Sequence, residues 1–390
     1  MRIFYYFIER RILLSQIIFV LFLILSLHSC KKSSSGFINP DIHFQAFENK
    51  WKLYNKSTNG GWKNNFNGRY SWDDAYALEG LLMHYQRSSD KRYVDTFIKV
   101  ASRILETSDD DLKINDKYRG NKIVKGWSSK RYTVDSSYHV FGITNAMILY
   151  PVVKLFNILQ DKNEIIQENI SFFNKFKLFF IDEFNNIQVN DWVNLSSESG
   201  YFQDPYYSGL GIITPVNQYS RIGSYAIELY KLTGDLKYLV YAKKVARHLK
   251  NNLIQFSSYY YWNYIITSQP SPSDKPEDLG HSILVIQFIV NCYKNNIIFD
   301  QNDVQKLVYL FKNQLYIENS NSFREYLIGQ LASNDPYVSH YYLLSEYDYG
   351  VYQILSNWLS KQDFKLDESS FLNHFGNKLI LLDAFNLYYK

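Results

Sequence analysis

The sequence predicts an all-α fold, an (α/α)6 toroid of helical hairpins, and three observations carry that reading. One helix-to-helix junction recurs, helical segments alternate in pairs along the chain, and the first member of several pairs is more apolar than the second.

The recurring junction is His84-Tyr85-Gln86-Arg87-Ser88-Ser89-Asp90-Lys91-Arg92-Tyr93-Val94. It is matched about 145 positions later by Leu229-Tyr230-Lys231-Leu232-Thr233-Gly234-Asp235-Leu236-Lys237-Tyr238-Leu239. Before the second junction Ile222, Ala226 and Leu229 fall at helical spacing, and after it Leu239, Ala242, Ala246 and Leu249 do the same. Gly234 fits a left-handed C-cap and Asp235 an N-cap.

The spacing predicts helix pairs over 72–87 and 91–107, 136–158 and 164–181, 217–232 and 235–252, 278–295 and 301–316, and 346–360 and 370–388. A helix over 42–55 completes a sixth pair. Ile283 to Val290 contains one polar residue, Gln287, whereas the following helices carry charged faces such as Lys243, Lys244, Arg247 and Lys250. A helix apolar all round is buried, so first members form an inner ring and second members an outer one. Pro151 is expected to kink its inner helix.

Before the toroid, Arg2, Arg10 and Arg11 flank an apolar run from Ile12 to Leu27 that ends at Ser29-Cys30. Residues 1–29 read as a signal peptide. The ending resembles a bacterial lipobox, which implies cleavage before Cys30, lipid on its sulfur and a membrane-tethered mature chain. No acidic run follows Cys30, and the expected address is the outer membrane, facing the periplasm. Lys31 to Gly36 is small and polar, so residues 30–37 make a flexible tether and 38–390 a single toroid domain. Cys292 is then the one cysteine left, so no intrachain disulfide forms and packing must supply the stability. In its apolar helix it reads as a packing residue.

The formal charge of +4 includes roughly two charges from the leader. The mature surface is near balance, and no nucleic-acid partner is indicated. The chain lacks a Gly-rich phosphate loop, a Gly-x-Ser-x-Gly elbow and paired zinc ligands, so no cofactor and no metal are expected. Asp109-Asp110-Asp111 lacks the Gly and Glu of a calcium loop and reads as a solvated turn. The informative composition is 35 Tyr, 27 Phe and 7 Trp, which suits sugar binding.

In such a toroid the inner helices run the same way, so their N-terminal ends share one rim. The polar and aromatic residues that collect there are Trp72, Asp73 and Asp74; Asp135, Tyr138 and His139; Asn217, Tyr219 and Arg221; Glu277, Asp278 and His281; and Glu346, Tyr347, Asp348 and Tyr349. Helix ends of one sense favour anionic groups. Asp74 and Asp348 also fit capping boxes, with Ser71 and Ser345 three residues before them. Thr214-Pro215 and Lys275-Pro276 place Pro at first helical positions, so Asn217 and Asp278 fall in first turns. Asp135/His139, Asn217/Arg221 and Glu277/His281 are each four apart and share a helical face, either as local bridges or as an oriented imidazole. The run Tyr259-Tyr260-Tyr261-Trp262-Asn263-Tyr264 either stacks on sugar rings or fills the seam between hairpins.

Asn217 to Leu239, Tyr261-Trp262-Asn263-Tyr264 and Glu277-Asp278-Leu279-Gly280-His281 are similar to runs of the six-hairpin glycosidase superfamily, and residues 42–390 resemble it as a whole. The resemblance implies a carbohydrate-active enzyme with an oligo- or polysaccharide partner. As an inverting glycosidase it would pair Asp73 with Glu277 or Asp278. As a uronate polysaccharide lyase, the slightly favoured reading, it would use His281 or Tyr219 as base. Asn217 and Arg221 would then hold the carboxylate, with Trp262 and Tyr264 as a stacking wall and His139 and Trp72 as further substrate contacts. A glucuronyl C5-epimerase would use similar groups. A glycan-binding lipoprotein without chemistry is the rival from another class.

Overall fold

The computed structural model describes residues 40–164, 169–266, 275–329, 332–333 and 336–361. The leader, Cys30, the tether and the helix expected over 370–388 lie outside the described residues.

Five helical pairs follow one another. A first helix, α1 (Pro40–Ser57), precedes α2 (Ala75–Ser88) and α3 (Lys91–Leu105). Then come α4 (Gly142–Asp161) and α5 (Ile170–Glu183), α6 (Val216–Thr233) and α7 (Leu236–Asn251), and α8 (Leu279–Lys294) with α9 (Gln301–Tyr309). The last pair is a 3-10 segment, Pro336–Glu346, with α10 (Tyr349–Ser360). Wider π turns lead into α2 (Tyr70–Asp74) and extend α5 (Phe184–Gln188) and α9 (Leu310–Leu315).

The first members pack side by side in the order α2, α4, α6, α8 and the 3-10 segment, and α3 and α7 lie outside α2 and α6. This is the expected inner and outer ring. The predicted division of polarity explains it: α4, α6 and α8 are buried over most of their length, whereas α7 keeps Lys243, Lys244 and Arg247 on its outer side. Among the described residues α4 alone is long and apolar enough to cross a membrane, and 89% of its apolar window is buried within the protein. Cys292 is fully buried in α8.

The junctions form as read. Gly234 takes a left-handed φ of 72° and its N–H returns to the Tyr230 carbonyl, while Asp235 accepts the Lys237 N–H. Ser89 (φ 57°) and Asp90 repeat the device between α2 and α3.

Every inner-to-outer connection is short and every outer-to-inner connection is long. The long ones carry antiparallel ribbons: β1 (Asn115–Asp116) with β2 (Lys122–Ile123), β3 (Trp192–Asn194) with β4 (Gly200–Phe202), and β5 (Ile254–Gln255) with β6 (Tyr260–Tyr261). The fourth has three strands, β7 (Tyr316–Ile317), β8 (Ser322–Arg324) and β9 (Ala332–Ser333). All four therefore gather at the end where inner helices begin, and loops gathered on a rigid scaffold are where sites are built.

Two expectations are corrected. The helix expected from 136 begins at Gly142, because Ser136 has a φ of 55° and His139 bridges Ser129 in extended backbone. The segment 346–360 is an outer helix, and its inner partner is the 3-10 segment before it. Glu346 consequently meets Lys294, in the last turn of α8, at 2.6 Å, at the far end of the ring from the rim. Asp348 does cap its helix, accepting the Gly350 N–H, and also takes Lys312 at 2.9 Å.

Candidate active site at the inner-helix rim

Asp73 and Asp74 are adjacent and face different ways. The π turn Tyr70–Asp74 widens the entry to α2. Asp73 is buried beside Arg69 (2.8 Å), whereas Asp74 turns outward to the Arg103 guanidinium of α3 (2.5 Å) and the Tyr54 hydroxyl. Asp74 therefore makes no capping bond, contrary to its capping-box spacing. Burial raises its carboxyl to about 7, against the lowering influence of Arg103 and Tyr54.

Around the rim, Trp72 lies edge-on to Tyr132 with ring centroids 6.5 Å apart. Burial lifts the Tyr132 phenol to about 12, with Arg131 and Arg69 opposing and Asp73 and Tyr207 assisting. Tyr207, on a short helical turn Pro205–Gly209, accepts Gln218 Nε2 from the first turn of α6 at 3.1 Å. Tyr264 comes next: burial raises it, and Tyr207, Glu277 and Asp278 add to the rise. Its ring lies 5.3 Å from that of His281. Two contact groups thus stand at the inner-helix entries, Trp72 with Tyr132 beside Asp73, and Tyr264 with His281 and Asp278. Tyr132 and Tyr207 sit in loops without periodicity, and only their aromatic type hinted at them.

Asp278 is the N-cap of α8. It accepts the His281 backbone N–H at 2.9 Å and meets His281 Nδ1 at 2.5 Å. Burial pushes its carboxyl up, but the bond and charge of His281 and the helix amides outweigh that and hold it below its ordinary value. The His281 side chain is 48% exposed and that of Asp278 32%, so the pair faces solvent at the mouth.

The structure removes several expected residues from that mouth. Tyr219 is fully buried between α6 and α7, its ring against Tyr201 and His248, and burial with nearby Glu277 raises its phenol well above the ordinary value. It touches no open space and is no base. Arg221, on the inner face one turn below the rim, pairs with Glu79 and Gln287 (2.7 Å) and lies over the Tyr150 ring at 3.9 Å. Its guanidinium belongs to the toroid interior and is not open to a substrate carboxylate. Trp262 is fully buried and donates Nε1 to Glu277 at 2.8 Å, so it is seam packing and no stacking wall. Glu277 is fully buried too. Burial and the neighbouring Asp278 raise its carboxyl well above the ordinary range despite the Trp262 bond. Asn217 is buried in the first turn of α6, its Oδ1 without a hydrogen-bond partner among the described residues. Pro276 bridges Asn263 and precedes the helix.

None of the three expected pairs, Asp135/His139, Asn217/Arg221 and Glu277/His281, forms. His139 is fully buried, with Nδ1 3.0 Å from both Asp116 oxygens and Nε2 2.8 Å from Asp204. An imidazole facing a carboxylate at each nitrogen must donate twice. Accordingly, burial lowers its pKa but the two acids outweigh burial and raise it. Arg119 extends the network through a bidentate 2.7 Å pair with Asp191. This is a strut joining the loops before α4 and α6, and His139 contacts no substrate there. Asp135 lies outside it, bound by Lys117 and, at 2.9 Å, by the Tyr118 hydroxyl. Asp109 is no solvated turn: it is buried and accepts the Ser128 N–H. Among the described residues no metal-ligand cluster occurs.

No protein-family model and no curated protein matches the chain. Solved structures do. The α-1,6-mannanase of glycoside hydrolase family 76 from Salegentibacter sp. superposes at TM-score 0.51 with 13% identity, over 88% of this chain and 99% of that one. An inactive variant of it with two adjacent aspartates replaced, in complex with α-1,6-mannotetrose, gives 0.50 at 12% identity, over 87% and 98%. A family 88 glycosyl hydrolase from Bacteroides vulgatus gives 0.48 at 10% identity, over 88% and 99%. The chain shares the (α/α)6 toroid fold of these structures.

Proposed function

We propose that this protein acts on an oligosaccharide at the rim of its inner ring, and that the reaction is glycoside hydrolysis. One observation carries the choice over β-elimination. Of the groups the lyase reading uses, Arg221 as carboxylate clamp and Tyr219 as one of two candidate bases are locked in the interior, which leaves His281 at the mouth without a clamp, while two carboxylates, Asp73 and Asp278, stand at different inner-helix entries of the rim.

Hydrolysis with inversion needs one carboxylate to take a proton from water and one carboxylic acid to protonate the leaving oxygen. Asp278, held ionised and oriented by His281, is suited to the first task. Asp73 supplies the second carboxyl, beside Arg69. Trp72, Tyr132 and Tyr264 present rings between them for sugar faces. The family 76 mannanase is inactive with two adjacent aspartates replaced. Here Asp73 and Asp74 diverge, so mannan is not carried over as the substrate.

A second reading, binding without turnover, is favoured by one feature: Asp73 and Asp278 are each already paired with a basic neighbour. Incubating the full chain in detergent with neutral and uronate-containing glycans separates the two. New reducing ends that vanish in Asp278→Asn support hydrolysis, and saturable binding without products supports the second reading. The same chain is proposed to be exported and anchored through Cys30, with loss of labelled fatty-acid incorporation in Cys30→Ala as the expected result.

A further inference from the structure

The inner ring has a second end, where the inner helices finish. A cavity of about 460 Å3 opens there, and its charged lining is Arg87, Lys154, Lys231, Lys294, Glu228 and Glu346. The Arg221–Glu79–Gln287 layer lies between this cavity and the rim along the same helices.

Both carboxylates are committed. Glu228 takes Lys231 at 3.2 Å and Asn157 at 2.7 Å, and Glu346 takes Lys294 at 2.6 Å. Arg87, Lys231 and Lys294 occupy the last turns of α2, α6 and α8, where a cation answers the negative end of the helix dipole. Lys154 has no such explanation. It lies about two turns before the end of α4. Its ammonium makes no hydrogen bond or ion pair among the described residues, and Glu79, the nearby interior acid, is already matched by Arg221. Burial pushes the Lys154 pKa down, yet Tyr150, Tyr342, Glu228 and Glu79 outweigh burial and keep the ammonium protonated. Lys154 is half-buried at the cavity wall with its ammonium 5.7 Å from the Tyr150 ring centroid, and a partly desolvated charge without a hydrogen-bond acceptor is relieved by an acceptor-bearing guest.

We propose that this cavity binds a small tetrahedral oxyanion, of the phosphate or sulfate class, with the half-buried Lys154 as its counter-charge and Arg87 at its edge. The site is separate from the rim and does not rest on the glycan reading. The anion arrives free or carried on a sugar, and both present the same oxygens to an ammonium.

The test is calorimetric titration and thermal unfolding of the full chain in detergent with sodium phosphate and sodium sulfate, against sodium chloride at equal ionic strength. Saturable binding that chloride does not reproduce is expected, weakened tenfold or more in Lys154→Met and kept within a few-fold in Lys154→Arg. An equal response to chloride, or unchanged binding in Lys154→Met, overturns the proposal. Should Lys154→Met fail to fold, Lys231→Met is measured instead, with several-fold weaker phosphate binding expected and unchanged binding contradicting the site. Glucose 6-phosphate then names the source: displacement at lower concentration than phosphate points to a sugar-borne anion, and displacement only at equal or higher concentration to the free ion.

Discussion

Arg221 of α6 and Glu79 of α2, 142 positions apart, form an ion pair on the inside of the inner ring. Arg221 is fully buried and also holds Gln287 and the Tyr150 face, so one guanidinium links α2, α4, α6 and α8. Burial raises the Glu79 carboxyl, but Arg221, with His340 and Lys154, overcomes this and leaves it below its ordinary value.

Breaking such a pair strands a buried charge, so Arg221→Met should destabilise the fold by about 3–5 kcal/mol in urea unfolding. Adding Glu79→Gln should recover part of the loss. A variant of normal stability with only a raised KM would instead restore Arg221 as a substrate ligand.

Gly223 sits where α6 meets α8, and a Cβ there would lie 2.6 Å from the Phe288 ring. Gly223→Ala should cost about 1–3 kcal/mol through overpacking. Phe288→Leu in the same chain should return part of it, which equilibrium unfolding of the double variant checks.

Stability should peak in mild acid. Asp74, Asp109 and Glu183 are raised to about 7 and Asp191 to about 6, chiefly by burial. The folded state therefore binds more protons than the unfolded one between the ordinary carboxyl range and those values, and stability falls as pH rises through them. His139, raised in the fold, contributes below its unfolded value of 6.5 and is lost as pH rises through its folded one. Asp116 and Asp278 are lowered, so their contribution is present above about 4 and lost in stronger acid. Unfolding temperature should thus be higher near pH 5.5 than at 8, and Glu183→Gln should flatten the slope. A maximum above pH 8 would contradict these assignments.

The Asp278–His281 pair is partly exposed, and among the described residues its side chains make no long-range hydrogen bond. Asp278→Asn and His281→Ala should each lower turnover by about 100-fold or more, with stability changed by less than about 1 kcal/mol. Turnover and thermal unfolding, measured on the same preparations, decide it.

What was legible in the sequence was local. Gly234 and Asp235 close a turn from within, and the apolar run of α8 declares its own burial, so the inner order of α2, α4, α6 and α8 followed from pattern alone. Partner choice was not legible. Asp74 met Arg103 because a π turn rotated it outward, and His281 met Asp278 three residues back because Asp278 is the cap. The 3-10 segment Pro336–Glu346 was missed because its period near three leaves no 3.6-residue stripe. That omission sent Glu346 and Asp348 to the wrong end of the ring.

Hydrolysis at Asp278 is decided by following reducing ends and unsaturated-uronate absorbance together, for wild type and Asp278→Asn, over a panel of neutral and uronate glycans. Reducing ends should appear without that absorbance and vanish in the variant. A rise in absorbance, or cleavage that survives Asp278→Asn, would rule hydrolysis at Asp278 out.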